Sequence, residues 1–225
     1  MTDCARPGLT APVTRLVFRA LALGGCLARL ALAGPAEDWE DLPAPRTTGG
    51  KPLLQALAER QTRREFKPDP LTPGQLSDLL WAAFGVNRPA SGRRTAPSAK
   101  NAREIDLYVL RADGAFLFEP GPHRLRRVAP GDLRRLTGDQ DFAATAPLTL
   151  VFVAEFAKLA DTPEAAARMY AAFDAGCISQ NVYLFAASEG LATVVHELNR
   201  EPLARALNLR GGQHIILAQA VGWPR

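Results

Sequence analysis

From Pro163 to Thr193 the chain reads PEAAARMYAAFDAGCISQNVYLFAASEGLAT. Pro163 and Glu164 suit the opening of a helix, because the first turn needs no proline N–H and favours a carboxylate. Nothing interrupts the helical pattern until Gly190, the residue type that closes a helix in the left-handed conformation. Apolar residues occupy most sides of the pattern, so it reads as a central, buried helix. A helix of that kind needs further layers around it, and the flanking sequence supplies them.

Leu148-Thr149-Leu150-Val151-Phe152-Val153-Ala154 is a continuous apolar run, the signature of a strand buried on both faces. Upstream, Ile105, Leu107 and Val109 alternate with Asp106, Tyr108 and Leu110. Asp113-Gly114 then turns the chain into Phe116-Leu117-Phe118, which predicts a hairpin. Downstream, Glu201 to Leu209 has the spacing of a short amphipathic helix, and Ile215 to Val221 reads as a closing strand. Thr72-Pro73-Gly74-Gln75 is a capping box with proline at its first helical position. Leu76, Leu79, Leu80, Ala83 and Phe84 follow at helical spacing, and Gly85 ends the element. Pro52 suits the start of another helix, with Leu53, Leu54 and Leu57 on one face. Asn87 to Asn101 reads as a polar loop, and no internal repeat is visible. The sum is one α+β domain.

Composition narrows the function classes. A length of 225 residues fits one domain or two very small ones, and 47% hydrophobic against 22% charged residues excludes disorder for most of the chain. Three cysteines are too few for a disulfide framework. No stretch approaches the roughly 18 consecutive apolar residues of a membrane span. A pI near 9.2 raises nucleic-acid binding. However, residues 1–36 hold four arginines and one aspartate, which is +3 of the formal net charge of +4. The rest is nearly neutral, and only 7% of residues are aromatic, so a stacking platform for nucleic acid is not expected.

That basic opening segment is distinct. Arg6, Arg15 and Arg19 precede the apolar run Ala20 to Ala28, Arg29 interrupts it, and small residues follow at Ala31-Leu32-Ala33 and Gly34-Pro35-Ala36. The pattern predicts a signal peptide over residues 1–36 and an exported, periplasmic protein. Two alternatives stay open. Leu23-Gly24-Gly25-Cys26 resembles a lipoprotein processing site with a lipid anchor on Cys26. A surface helix or an upstream start codon would instead leave the protein cytoplasmic. Residues 37–50 read as an extended lead-in, and residues 51–225 as the folded domain. Cys177, the cysteine that survives cleavage, reads as an inert residue of an apolar helix.

Common catalytic patterns are missing: no G-x-G-x-x-G after a strand, no phosphate-binding G-x-x-x-x-G-K-[ST], no G-x-S-x-G. His123, His196 and His214 are too dispersed for a local metal motif, and no metal is expected. Two polar segments stand out. Arg60-Gln61-Thr62-Arg63-Arg64-Glu65-Phe66 places cations on either side of a hydroxyl, which suits a phosphate. Taken alone it reads first as a solvated basic helix end. Arg94-Thr95-Ala96-Pro97-Ser98-Ala99-Lys100-Asn101 has the small residues that let a backbone approach a planar ligand; taken alone it is an ordinary polar loop.

In order along the chain these segments resemble the FMN-dependent nitroreductase family, and within it the azoline-oxidising dehydrogenase branch. Residues 60–66 match an R-[RH]-S-x-[RK]-x-F signature, with Gln61 and Thr62 departing from it. Pro97-Ser98-Ala99-Lys100-Asn101 matches P-S-[AS]-x-N fully. Asp174-Ala175-Gly176 through Gln180-Asn181 to Gly190-Leu191-Ala192-Thr193 matches an apolar helix ending in G-L-x-T. Ala220-Val221-Gly222-Trp223-Pro224 matches a terminal P-V-G-x-P with alanine first, and Leu79 to Asn87 adds a branch-like match. The resemblance covers residues 50–225.

The resemblance implies a mainly antiparallel central sheet flanked by helices around a long buried helix, in a homodimer with FMN at the interface. Carried over by position, it implies that Arg60, Gln61, Thr62 and Arg64 hold the phosphate, ribityl chain and pyrimidine edge. Pro97, Ser98, Ala99 and Asn101 of the partner chain would pack on the ring. The loop around Val195, His196 and Glu197 would lie along it, with a backbone N–H near Glu197 facing flavin N5, and Arg225 would add a phosphate contact. The implied activity is hydride or electron transfer by a ping-pong mechanism to a small-molecule acceptor, with NAD(P)H a candidate donor. The cofactor would carry the chemistry, so no catalytic side chain is required; His196 is a candidate for proton transfer or a residue of the pocket rim. Asp174, Gln180 and Asn181 read as a structural polar network. A non-catalytic flavin-binding or partner protein on the same fold is the alternative.

Overall fold

The structure, a computed structural model, describes residues 38–225. The expected signal segment over residues 1–36 and Cys26 lie outside the described residues. Five α-helices are described: α1 (Leu53–Glu59), α2 (Pro73–Phe84), α3 (Asp141–Thr145), α4 (Glu164–Glu189) and α5 (Arg200–Ala206). Nine strands alternate with them: β1 (Trp39–Asp41), β2 (Val86–Arg88), β3 (Arg93–Arg94), β4 (Ile105–Arg111), β5 (Gly114–Glu119), β6 (Arg124–Pro130), β7 (Leu148–Glu155), β8 (Ala192–His196) and β9 (Gln213–Gly222). Seven of these form an antiparallel sheet in the order β1-β6-β5-β4-β7-β9-β8, and β2 pairs with β3 as a separate hairpin.

The apolar run over residues 148–154 is the strand β7, and every residue of it is buried. The reason is that the centre of the sheet is covered on both faces. Leu148, Leu150, Phe152 and Ala154 join Ile105, Leu107 and Val109 of β4 in packing on α2 and α4. Val151 and Val153 face the other way, with Tyr108 and Leu110, onto Leu203 and Leu207 around α5. Fully buried side chains of this size contribute roughly 1.5–3 kcal/mol each. The predicted hairpin is β4–β5, with Arg111 opposite Gly114.

Helix α4 crosses that sheet on a stripe of mostly small residues. Ala167, Ala171, Asp174, Ala175, Ile178, Ser179, Val182 and Ala186 are buried at helical spacing. Its other flank carries Met169 and Phe173, which are 61% and 64% exposed. Gly190 ends it at φ +72°, the left-handed position the sequence predicts. Helix α2 has its capping box: Gln75 N–H donates to Thr72 Oγ1 at 3.3 Å and Thr72 N–H donates to Gln75 Oε1 at 2.9 Å.

Four elements depart from the sequence reading. The expected polar loop over 87–101 carries the β2–β3 hairpin. Residues 141–145 form α3. The arginine-rich segment 124–130 is a sheet strand, because its cations lie on aromatic faces. The Arg124 guanidinium is 3.5 Å from the Trp39 ring centre, and Arg127 sits 4.8 Å from Phe116. The stretch after Gly190, expected as a loop, is the edge strand β8, for which Thr193-Val194-Val195 supplies three β-branched residues in a row.

Candidate functional site

Helix α1 ends at Arg60, and the chain from there to Phe66 runs along the open edge of β8. Arg63 N–H donates to Thr193 O at 3.1 Å, so the segment continues the sheet by a single backbone bond. Phe66 is buried and anchors it, with its ring 6.0 Å from that of Phe142. The end of the chain returns to the same place. Lys67 N–H donates to Trp223 O at 2.9 Å, Phe66 bridges to Pro224, and Arg225 N–H reaches Glu65 O at 3.4 Å. Gly222 makes the approach possible, since a Cβ there would come within 2.4 Å of Pro147 and 3.3 Å of Phe66.

Two cavities flank this segment. One, of about 490 Å³, lies between Arg60, Gln61 and Arg63 on one side and Ala186, Gly190 and Leu191 on the other. The second, of about 360 Å³, is lined by Gln61, Arg63, Arg64, Glu65, Pro224 and Arg225. The fold thus brings Arg60, Gln61, Arg64 and Arg225 together, although Arg225 lies far from the others in sequence. Among the described residues, none of the four guanidinium groups Arg60, Arg63, Arg64 and Arg225 forms an ion pair.

A residue the sequence reading missed sits at the centre. The Tyr183 hydroxyl on α4 accepts the Val195 N–H at 3.0 Å and lies 3.2 Å from Thr62 Oγ1. The Arg60 guanidinium rests 5.5 Å from its ring centre. One phenol therefore joins α4, β8 and the 60–66 segment. In the sequence Tyr183 looks like one more apolar helix residue, and only the neighbouring strand gives its hydroxyl a task.

Val195 is partly exposed and Glu197 exposed, though neither lines either cavity, and His196 is buried. It is 7% exposed on β8, with its ring edge-on to Phe142 at 5.3 Å. Its Nδ1 lies 3.2 Å from Glu197 O, and burial lowers its pKa below the usual histidine value. The expected position on a loop at the pocket rim is replaced by a neutral imidazole inside the fold.

Pro97, Ser98, Ala99 and Asn101 are not among the residues lining either cavity. They form a separate loop in which Lys100, Asn101 and Arg103 all have positive φ, between 52° and 55°. Such backbone is unfavourable for residues other than glycine and must be held. Asp174 Oδ2 on α4 accepts the Ala99 N–H at 2.8 Å, Ser98 Oγ donates to Glu104 Oε2 at 3.2 Å, and Arg103 N–H donates to Ser98 Oγ at 2.8 Å. Glu104 and Asp174 are both fully buried, each with one oxygen lacking a hydrogen-bond partner among the described residues. Burial and the Asp174 charge push the Glu104 carboxyl up to about 6. The polar network expected at Asp174 therefore exists and clamps this loop. Gln180 is exposed, and Asn181 Nδ2 donates to Ala83 O at 3.3 Å.

Cys177 is partly exposed, and burial together with the Asp174 charge raises its thiol pKa, which leaves little thiolate for chemistry. Among the described residues no group of three or more His, Cys, Asp or Glu side chains could hold a metal ion, and no helix is long and apolar enough to cross a membrane.

Residues 57–223 match the model of the nitroreductase family. A curated protein of Methanocaldococcus jannaschii whose name places it among the nitroreductases is 32% identical over 152 residues, covering 63% of this chain and 76% of its own. The crystal structure of a protein described by the same activity, from Ralstonia eutropha JMP134, is 42% identical with a TM-score of 0.81 and covers 85% of this chain and 92% of its own. The NADPH:FMN oxidoreductase of Vibrio harveyi, solved with NAD+, shares the fold at 18% identity and a TM-score of 0.55. That match covers 76% of this chain and 68% of the other.

Proposed function

The chain belongs to the nitroreductase family, and from that premise we propose that it is an FMN-dependent oxidoreductase with ping-pong turnover between a donor such as NAD(P)H and a small-molecule acceptor. The observation that carries this reading is the group of four arginines without carboxylate partners around Gln61 and Thr62, beside two cavities. Such a donor set fits a phosphate and the polar chain attached to it. The name of the Vibrio harveyi protein, which shares the fold, supports FMN as the group concerned.

In this reading Arg60, Gln61, Thr62, Arg64 and Arg225 bind FMN. Arg64, at the pyrimidine edge, stabilises negative charge there and so favours the reduced cofactor. Val195 and Glu197 present the rim of β8 to the ring, and Tyr183 holds that rim against Thr62. Bound FMN supplies the centre that takes up and gives back hydride. His196 supports β8 from inside and is not assigned a proton-transfer role.

A homodimer completes the site. Pro97, Ser98, Ala99 and Asn101 would come from a second copy, since in one chain they line neither cavity. Leu53, Leu54, Met169 and Phe173, each more than 60% exposed, supply an apolar surface for that copy. We also propose export to the periplasm with residues 1–36 as the signal, 37–50 as a lead-in and 51–225 as the FMN-binding domain. Amino-terminal sequencing of protein from the periplasmic fraction tests this: a start near residue 37 is expected, and an intact terminus on cytoplasmic protein overturns it.

The deciding experiment on activity is the absorbance spectrum of the purified full chain, followed by anaerobic titration with NADH and NADPH. A flavin spectrum that bleaches on donor addition is expected. Protein that neither carries nor takes up FMN overturns the reading, and flavin that no donor reduces marks a non-catalytic flavin-binding protein instead.

A further inference from the structure

Positive charge in the described chain is compensated unevenly. Twelve lysine and arginine side chains form ion pairs. Those without one among the described residues fall mainly into two groups. The first is the 60–67 segment with Arg225, of which Arg60, Arg64 and Arg225 are already assigned to FMN. The second is Arg88, Arg93, Arg94, Lys100 and Arg103, on the β2–β3 hairpin and the loop that follows it. Exposed Arg135 is the remaining one. Residues 86–103 contain no acid and no aromatic residue.

The hairpin cations are held by neutral groups. Arg88 Nη2 donates to Arg94 O at 2.8 Å and its Nε donates to Asn87 Oδ1 at 3.0 Å. Arg94 Nη1 donates to Phe84 O at 3.2 Å, and its guanidinium lies 4.8 Å from the Phe84 ring centre. Arg103 Nη1 donates to Gly92 O at 3.2 Å. Carbonyl partners fix the positions of these groups without neutralising them. Arg94 is the clearest case: its Nε is buried with no partner among the described residues. Burial and the neighbouring Arg103 charge pull its pKa below the usual arginine range, against the weaker pull of Asp106, which is itself paired with Lys158 at 3.0 Å. A half-buried cation left in that condition is unfavourable until an anion meets it.

We propose that Arg88, Arg93, Arg94 and Arg103 form a preorganised anion site that binds a carboxylate or phosphate group carried by the small-molecule substrate. Guanidinium forks suit both groups through paired N–H···O bonds. The hairpin leads directly into Pro97–Asn101, so the anion would be gripped beside the loop assigned to the flavin ring; that placement rests on the oxidoreductase reading. A single-stranded nucleic acid would need aromatic stacking partners, which residues 86–103 lack.

The test is calorimetric titration of the purified full chain, loaded with FMN where it binds, because binding can be read without turnover. One arm compares 4-nitrobenzoate with 4-nitrobenzyl alcohol, and the other compares the oxidised nucleotides NADP+ and NAD+, which cannot reduce the flavin. A preference of about tenfold or more for the more anionic member is expected in at least one arm, and the arm identifies whether acceptor or donor carries the anion. The double variant Arg88→Gln, Arg93→Gln, which removes two exposed guanidinium groups, loses that preference. Arg135→Gln, the same charge change elsewhere, retains it. Equal affinities in both arms overturn the site, as does a preference that survives the double variant or disappears in Arg135→Gln. Tighter binding to phosphatidylglycerol vesicles than to any of these ligands also overturns it, in favour of a membrane surface. Failure of flavin binding or reduction would leave these affinities measurable and would count against the oxidoreductase reading instead.

Discussion

Tyr183 has one hydroxyl and two tasks. It accepts the N–H of Val195, which points away from the sheet, and it meets Thr62 Oγ1. Tyr183→Phe removes both partners near the surface, where water replaces them in part, so a stability loss of about 1 kcal/mol is expected. FMN affinity is expected to fall about five- to tenfold, because Thr62 and the β8 rim lose their common anchor. Fluorescence titration of FMN into cofactor-free protein checks this, and affinity within twofold of the parent would show the hydroxyl to be idle. At this scale the sequence was informative where a motif carries its own chemistry. Arg60, Thr62 and Arg64 are recognisable because hydroxyl and cations are adjacent in the chain. Tyr183 and His196 were not legible, since what each does depends on whether β8 lies beside it, and β8 itself read as a loop.

The element that most needs support is the loop from Ser98 to Arg103, with three residues at positive φ. Glu104 and Asp174 clamp it from β4 and α4, and two buried carboxylates in contact cannot both be ionised without repulsion. Glu104 is raised from its ordinary 4.5 to about 6, so its protonated form favours the folded state. The sign follows: this contribution is complete below about 4.5 and is lost as pH rises through about 6. The loss is of order 1–2 kcal/mol. His123, whose pKa burial lowers, acts in the opposite direction as pH falls, so the comparison must be a difference. Urea denaturation of the parent and Glu104→Gln between pH 4.5 and 7.5 is expected to show the variant gaining relative stability as pH rises. A pH-independent difference would remove the shared proton from the account. Elements whose information is local, such as the Thr72 capping box, the β7 run and the Gly190 stop, were legible. Strand β6 was not, because its arginines become strand residues only when Trp39 and Phe116 lie beneath them.

The whole molecule leaves apolar side chains on α1 and α4 uncovered, and its two polar motifs fail to meet within one chain. Both observations motivate the proposed pairing with a second copy. Phe173→Glu, at a residue 64% exposed and outside the core, is expected to keep its circular dichroism spectrum while sedimenting as a monomer without FMN. A parent protein that sediments as a monomer with bound flavin would overturn that arrangement. The α+β class and the sheet-and-helix layering were legible from periodicity alone, but the order of the strands was not, since long-range pairing leaves no mark on local pattern.

That order has a consequence during synthesis. Strand β9 lies between β7 and β8, yet it is made after both. Until the ribosome has delivered residues 213–222, β7 has a bare inner edge and β8 has no paired strand. Completion of the sheet therefore waits for the last strand, although β1-β6-β5-β4-β7 can already pair once residue 155 has been made. If residues 1–36 act as the proposed secretion signal, that delay leaves the sheet incomplete while the translocation channel is engaged.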